Sequence, residues 1–339
     1  MQKIDVIVIG AGPGGLSCAK RLAELKIDVA VFEKNSSINR KICTGLWGLN
    51  GKTKKINLPE EVFERKFNKV IVSTLKNSMI VETKSPFVAT LDRTRLGEWM
   101  LEEAEEAGAQ IFFDSPVIDI GDNFINVNGQ KYFFNSLVGA DGSFSLVRRK
   151  LGLPTKAGIG IQYWLEDGPK ELEIHLDYNR FGPWYSWIAP HKNLISIGTG
   201  GDLNFKKVDK FKNALDGWLS ERKINSFKTQ LEGSYICHEY HGFKFGNKYL
   251  IGDAAGLPSS LTGEGIYPAI VSGIDVANII FNSEHSPKFI FEVLKIKRLH
   301  NVILRLFKIN PILTKIEHKF FLWLLKNEHF KNKVIEFLA

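Results

Sequence analysis

The chain has 339 residues, of which 44% are hydrophobic and 24% charged, a balance that excludes a disordered or collagen-like protein and leaves room for two domains. No run of 18 uncharged apolar residues occurs, so we expect no membrane-spanning helix, and no targeting peptide is expected before the first apolar run at residue 4. Three scattered cysteines exclude a disulfide framework or a zinc site, which predicts a cytoplasmic protein without a bound metal.

The first 33 residues follow the order strand, glycine turn, helix, strand, acid. Apolar residues 4–9 are followed by the motif Gly10-Ala11-Gly12-Pro13-Gly14-Gly15. Gly10 allows a tight turn, Gly12 lets a pyrophosphate approach the backbone, and Gly15 lets the helix pack closely on the strand. The helix N-terminus favours phosphate, and Glu33, 23 residues after Gly10, is placed to accept hydrogen bonds from a ribose. Together these features predict a dinucleotide site.

Residues 34–55 are interpreted as a loop that carries Cys43. Arg40 and Lys41 precede this cysteine, and a neighbouring positive charge lowers the pKa of a thiol. Cys43 is therefore either a reactive thiol or an idle one, and spacing alone favours the idle thiol.

The next part of the chain is predicted to mix strands and helices. Runs at 69–75 and 78–83 predict a β-insertion, and a helix is predicted to begin at Asp92-Arg93 and to end at Gly108. A further buried strand, at 136–140, ends in Asp141-Gly142.

Residues 155–200 change to alternating apolar residues and aromatics, which predicts a mainly antiparallel sheet of about four strands. Trp164, Trp184 and Trp187 either pack in its core or form an aromatic wall. Beyond this sheet, a short buried strand at 249–251 ends in Gly252-Asp253, a glycine loop and a helix from about 266 to 282. Such a segment suits close approach of the backbone to a flat cofactor.

The three glycine motifs that begin at Gly10, Asp141 and Gly252 resemble the FAD-binding fold of the p-hydroxybenzoate hydroxylase superfamily. The resemblance implies FAD as cofactor and an α/β fold with a Rossmann-like FAD-binding domain. It places Glu33 on the adenosine ribose and Asp253 on the ribityl chain and pyrophosphate. The residues that it implies in FAD binding are Gly10, Gly12, Pro13, Gly14, Gly15, Glu33, Lys34, Arg40, Arg93, Asp141, Gly142, Gly252, Asp253, Gly263, Gly265 and Ile266.

Within that superfamily the chain resembles the geranylgeranyl reductase family. Four stretches carry the resemblance: Lys41-Ile42-Cys43-Thr44-Gly45, the DGxxSxVRR pattern at 141–149, the PxYxW pattern at 183–187 with the GxG at 198–200, and residues 252–266. It implies an FAD-dependent reductase of C=C bonds in a geranylgeranyl lipid, with hydride delivered by reduced flavin. Cys43 is implied to donate a proton or to position water, and Tyr185 and Trp187 are implied to form the apolar wall around the substrate.

Two other functions stay open. An aromatic or quinone monooxygenase uses the same fold, and a flavin-bearing subunit docked to a membrane partner would need no reaction of its own. The implied partners are a prenyl-lipid substrate and an electron donor, either NADPH or a ferredoxin-like protein.

The C-terminal region carries most of the net charge of +8, because residues 285–339 hold eleven Lys or Arg against four Glu. A helix is predicted at 288–309, with Pro311 as its break and a second apolar segment around Lys315, Lys319 and Lys326. These helices either cap the substrate domain or lie on an anionic membrane surface, at the inner face of the cell membrane. They are too apolar for nucleic acid.

These patterns divide the chain into three regions. A discontinuous FAD-binding domain is predicted at 1–75, 86–154 and 245–284, a β-sheet substrate domain at 155–244, and a helical tail at 285–339.

Overall fold

The computed structural model describes residues 2–38, 42–226 and 229–309. Arg40 therefore lies outside the described residues, as does the predicted second tail segment with Lys315, Lys319 and Lys326.

The described chain forms strands and helices in alternation. The strands are β1 (Gln2–Ile9), β2 (Val29–Phe32), β3 (Leu46–Gly48), β4 (Phe63–Phe67), β5 (Lys69–Thr74), β6 (Ser78–Glu82), β7 (Val88–Leu91), β8 (Gln110–Phe112), β9 (Val117–Ile120), β10 (Phe124–Val127), β11 (Gln130–Gly139), β12 (Ala157–Leu165), β13 (Glu173–Leu176), β14 (Ser186–Pro190), β15 (Ile195–Asp202), β16 (Glu232–Cys237), β17 (Lys244–Phe245) and β18 (Lys248–Leu250). The α-helices are α1 (Pro13–Glu24), α2 (Arg93–Glu106), α3 (Leu146–Lys150), α4 (Tyr178–Phe181), α5 (Val208–Glu221), α6 (Gly252–Ala255), α7 (Ile266–Phe281) and α8 (Lys288–Ile309).

The first sheet has β1 at its centre. β1 pairs in parallel with β2 and with β11, β8 adds to β2, and β18 adds to β11. Val6, Ile7 and Val8 of β1 are each at most 1% exposed, as expected of a strand covered on both faces. The strand ends of this sheet lead into the glycine motifs, as in other doubly wound folds.

The second sheet runs in the order β16-β12-β15-β14-β13-β5-β6. Its pairs are antiparallel except that between β13 and β5. Alternation along β12 gives the sheet two different faces. Ile159, Ile161 and Tyr163 pack in a core with residues of α5, whereas Gly158, Gly160 and Gln162 line a cavity.

Two expectations about elements need correction. Residues 34–55 are not all loop, because β3 pairs with β7 and a 3₁₀-helix spans Gly51–Lys55. Residues 69–75 were assigned to the FAD-binding domain, but β5 hydrogen-bonds to β13 in the second sheet, since its apolar face packs there. The four strands predicted within 155–200 are confirmed as β12 to β15, and β16, β5 and β6 extend their sheet to seven strands among the described residues. The other domain limits stay a prediction.

α8 confirms the helix predicted at 288–309. Ile290, Val293, Leu294 and Leu304 are buried against the rest of the molecule, so at least this part of the tail is a cap. Within the described ranges, no helix is both long and apolar enough to cross a bilayer.

Candidate active site

The glycine loop between β1 and α1 separates two roles of glycine. Gly10 has a φ of +101°, and a Cβ there would lie 2.6 Å from the carbonyl oxygen of Ala140. A Cβ at Gly15 would overlap the carbonyl oxygen of Gly10. A Cβ at Gly12 would meet nothing within 4 Å, and Gly12 caps α1 without a side-chain hydrogen bond. Open space beside free N–H groups at a helix N-terminus fits a pyrophosphate.

Glu33 lies at the end of β2, beside this loop. Its Oε2 accepts a hydrogen bond from the Ala11 N–H at 2.8 Å, and its Oε1 accepts from the Asn35 N–H at 3.0 Å. Oε1 also accepts from the side-chain amide of Asn35, so these bonds fix the carboxylate and leave the second lone pair of Oε2 to accept from a ribose. Lys34 follows as an exposed residue.

One cavity joins the two sheets. The predicted site residues that line it are Pro13, Cys43, Arg93, Tyr185, Trp187, Asp253, Gly263, Gly265 and Ile266. Glu33, Asp141 and Gly142 do not line it. The structure therefore brings together residues from five separate stretches of sequence, including all three residues that were predicted to act on the substrate.

Arg93 fits an oxygen-rich cofactor. Its Nε and Nη1 atoms are buried and have no hydrogen-bond partner among the described residues. Asp92, which precedes it, accepts from the N–H groups of Thr94 and Arg95 and so caps α2. A buried guanidinium without an acceptor is costly, and FAD offers phosphate and carbonyl oxygens that would remove this cost.

Asp253 lies at the start of α6, where Gly252 has a φ of +54°. Its Oδ2 accepts from the Ser143 hydroxyl at 2.7 Å. α7 then begins at Ile266 with Gly265 as an N-cap that makes no side-chain hydrogen bond. The unpaired N–H groups of this helix end face the same cavity as Asp253, as an FAD site requires.

Asp141 and Arg148 support this segment from behind. Oδ2 of Asp141 accepts from the Leu146 N–H at 2.6 Å, and burial raises the pKa of this carboxyl. Arg148 is fully buried and donates to three backbone carbonyls, those of Pro154, Glu239 and Ala254. Sequence reasoning gave Arg148 no role, and only the DGxxSxVRR pattern hinted at one.

The loop that carries Cys43 is held at three points. Gly45 has a φ of +73°, its N–H donates to Sγ of Cys43 at 3.3 Å, and its carbonyl accepts from the Leu91 N–H at 2.9 Å. The Nε2 of buried His191 lies 3.0 Å from the carbonyl oxygen of Thr44, and its Nδ1 contacts Glu64. These contacts hold Cys43 in the cavity wall, although sequence spacing favoured an idle thiol.

The aromatic wall is tied to the glycine loop that precedes α7. The Tyr185 hydroxyl donates to the carbonyl of Thr262 at 2.6 Å, and the Trp184 indole donates to the carbonyl of Ser260 at 3.0 Å. Burial raises the pKa of Tyr185. Trp164 does not line the cavity and packs edge-on against His191 instead. Of the three tryptophans, Trp184 and Trp187 therefore form the wall.

The other two cysteines have structural positions. Cys18 in α1 and Cys237 in β16 are both fully buried, and burial raises the pKa of each thiol. Sequence reasoning missed Gln162 and His238, which line the cavity from β12 and from just beyond β16. Burial lowers the pKa of His238. Only strand pairing brings these two residues to the site.

The chain is similar to known oxidoreductases. Residues 4–167 match the model of the pyridine nucleotide-disulphide oxidoreductase family. An uncharacterized protein of Methanosarcina barkeri is 26% identical, over 90% of this chain and 81% of that protein. The digeranylgeranylglycerophospholipid reductase of Thermoplasma volcanium is 25% identical, over 85% of this chain and 81% of the enzyme. The chloroplastic geranylgeranyl diphosphate reductase of Oryza sativa subsp. japonica is also 25% identical, over 80% of this chain but only 65% of the enzyme.

Two solved structures share the fold. A geranylgeranyl bacteriochlorophyll reductase-like protein from Thermoplasma acidophilum superposes with a TM-score of 0.75 at 20% identity, over 91% of this chain and 87% of that one. The p-nitrophenol 4-monooxygenase of Pseudomonas putida has the same TM-score at 16% identity, over 100% and 99% of the two chains. Together, the family model, the relatives and the solved structures confirm the α/β fold, FAD as cofactor and the predicted resemblance, and the chain is similar to FAD-dependent oxidoreductases that include geranylgeranyl reductases.

Proposed function

We propose that the protein saturates C=C bonds of a geranylgeranyl lipid. The observation that carries the proposal is the shared cavity, in which Cys43, Tyr185 and Trp187 lie with Arg93 and Asp253. The last two belong to the FAD side and the first three to the substrate side. When bound, reduced FAD supplies the hydride for such a reaction.

Substrate recognition rests on apolar contact, because an isolated alkene offers almost nothing to a hydrogen-bonding site. Trp184, Trp187, Ile236 and Leu261 line the cavity and provide aromatic and aliphatic surface. Each CH₂ group buried there contributes about 0.8 kcal/mol, so a chain of several isoprene units would bind tightly without polar contacts.

The proton for the second alkene carbon is assigned to Cys43 or to a water that it positions. The Tyr185 O–H is already donated to Thr262, which makes Tyr185 a wall residue rather than a proton donor. Cys43 accepts from the Gly45 N–H, an arrangement that still allows its own S–H to donate.

Mass spectrometry of reaction products tests the reductase proposal. FAD-loaded protein is reduced with dithionite under argon and incubated with geranylgeranyl diphosphate or with a digeranylgeranylglycerol phospholipid. We expect products heavier by two hydrogens for each reduced bond. Unchanged mass of both lipids, with FAD still reduced, refutes the proposal. Replacing dithionite by NADPH and then by reduced ferredoxin identifies the electron donor.

A monooxygenase is the alternative, and the similarity in fold to p-nitrophenol 4-monooxygenase favours it. Such an enzyme consumes O₂ in proportion to an aromatic substrate. Stoichiometric oxygen uptake with a phenol or quinone, and none with prenyl lipids, would replace the reductase proposal.

The outer face of α8 supports a place at an anionic membrane surface, where a prenyl lipid resides. Phe291, Leu299, Val302 and Leu306 are each at least 45% exposed along one face of the helix. The exposed basic residues Lys288, Lys295, Arg298 and Arg305 accompany them. Each basic residue near such a surface is worth about 1 kcal/mol.

Vesicle sedimentation tests this location. We expect the protein to sediment with vesicles of anionic phospholipid and not with vesicles of neutral phospholipid. The sedimented fraction should fall as the salt concentration rises. Changing Lys295, Arg298 and Arg305 together to Glu is expected to abolish binding while FAD stays bound. A protein that stays in the supernatant with anionic vesicles at low salt contradicts a peripheral location and leaves α8 as a cap.

A further inference from the structure

Gln162 in β12 is 2% exposed and belongs to a short hydrogen-bond chain in the aromatic wall. The Trp187 indole lies 2.9 Å from Oγ of Ser196, and this oxygen lies 2.9 Å from Oε1 of Gln162. An indole N–H can only donate, so Ser196 accepts from Trp187, and its hydroxyl donates a hydrogen bond to the amide oxygen of Gln162. These two hydrogen bonds therefore fix which atom of the Gln162 amide is oxygen and which is nitrogen.

The amide nitrogen of Gln162 lies at the end of this series of hydrogen bonds. Nε2 is buried and has no hydrogen-bond partner among the described residues. Its cross-strand partners are Gly198 in β15, which has no side chain, and Glu232 in β16, whose carboxylate accepts from the Trp164 indole at 2.9 Å and makes no hydrogen bond to this amide. Leaving a buried NH₂ group without an acceptor costs free energy, which a ligand oxygen in the cavity would recover.

We propose that the Gln162 amide donates a hydrogen bond to a neutral oxygen of the bound lipid, such as an ether, ester or alcohol oxygen. This inference rests on the proposed function and narrows its substrate class to oxygen-bearing prenyl lipids. The residues around the amide carry no positive charge, because Gly160, Gly198 and Trp187 are neutral and Glu232, opposite Gln162 in β16, is acidic. They suit an uncharged oxygen better than a diphosphate, which needs cations.

A matched pair of probes isolates this hydrogen bond. Geranylgeranyl methyl ether has an oxygen that can only accept, and the hydrocarbon in which CH₂ replaces that oxygen has the same length. Binding of each to the FAD-loaded protein is followed through tryptophan fluorescence, since Trp184 and Trp187 line the cavity. No reduction is needed, so the experiment can succeed even if the proposed reductase activity fails.

The Gln162→Met variant keeps the size of the side chain and removes the donor. We expect it to bind the ether about tenfold more weakly than the wild type does and the hydrocarbon equally well. Gln130→Met, at an exposed position of β11, is the matched control and should leave both affinities unchanged. If the variant does not fold, the two affinities of the wild type test the proposal. The wild type must then bind the ether at least as tightly as the more apolar hydrocarbon.

Two results overturn the proposal. Equal weakening of both probes would mean that Gln162 acts only by holding Trp187. Unchanged binding of both, with a shifted FAD absorption spectrum in the variant, would mean that the amide donates to a flavin carbonyl instead of to the lipid.

Discussion

Glycine shapes both sides of the cavity, but for different reasons. In the loop that follows β1, Gly10 is required by its own φ of +101°, and Gly15 is required because a Cβ there would overlap the carbonyl oxygen of Gly10, five residues earlier. On the sheet opposite, Gly198 is required by distant residues, because a Cβ there would overlap the carbonyl oxygen of Ile161 and the ring of Trp187. The first requirement is local in sequence, whereas the second exists only after β14 and β15 have paired.

The largest expected effect separates two glycines of the same loop. Gly15→Val should prevent folding, at a cost of more than about 3 kcal/mol, because no side chain fits beside Gly10. Gly12→Val should fold, because the space there is open, yet its side chain would occupy the place of the pyrophosphate and lower FAD affinity by at least about 100-fold. Circular dichroism and released-flavin absorbance measure the two effects. A Gly12→Val protein that purifies with full FAD occupancy contradicts the placement of the cofactor.

The next effect concerns Cys43, whose loop lies between the two sides. Cys43→Ser should keep FAD and lose alkene reduction by about 10²–10⁴-fold, the range of general acid catalysis. Cys18→Ser and Cys237→Ser are the controls, since both thiols are fully buried in secondary structure, and both should keep activity. Turnover at the wild-type rate by Cys43→Ser would remove this residue from the mechanism.

The features that could be predicted from the sequence follow the same division between local and distant contacts. The glycine motif, Asp253 and the helix at 288–309 were found because each depends on neighbours within a few turns of chain. The four strands within 155–200 were also predicted from local alternation, but β5 was not placed beside them, because it joins their sheet through β13, about a hundred residues later. Gln162 and His238 carry no local signal, and they reach the cavity only through the register of β12 with β15 and β16. Cys43 needed the family resemblance, because its loop is held by the distant residues His191 and Leu91.

A smaller effect compares two glycines on the sheet side. Gly198→Ala should destabilise the protein by about 1–3 kcal/mol, because the methyl group would overlap the carbonyl oxygen of Ile161 and the Trp187 ring. Gly160→Ala meets nothing closer than 4.0 Å and should leave stability unchanged or raise it by up to about 1 kcal/mol. Its methyl group would still enter the floor of the cavity and weaken lipid binding. Urea denaturation and tryptophan fluorescence follow the two changes, and equal destabilisation by both would deny the special role of position 198.

A pH-dependent effect of comparable size tests how α8 is fixed to the FAD side, through His300. Nδ1 of this residue lies 2.8 Å from the hydroxyl of Ser259, in the loop that lines the cavity. Burial lowers the pKa of His300 to about 4, below its ordinary value of 6.5, and Lys52 and Lys297 lower it further. Between these two pH values the unfolded chain binds a proton that the folded chain does not, so the contribution of His300 to stability is lost as pH falls through this window.

His300→Gln removes that titration while keeping a polar group beside Ser259. Between pH 7 and about pH 4.5, the wild type should lose about 2–3 kcal/mol more stability than the variant, with the same excess of FAD in every sample. His241→Gln, at a side chain that is 34% exposed, is the control and should follow the wild type closely. If His300→Gln loses as much stability on acidification as the wild type, His300 titrates like an ordinary exposed histidine, and α8 is fixed to the cavity loop by Lys297, Asn301 and the apolar contacts.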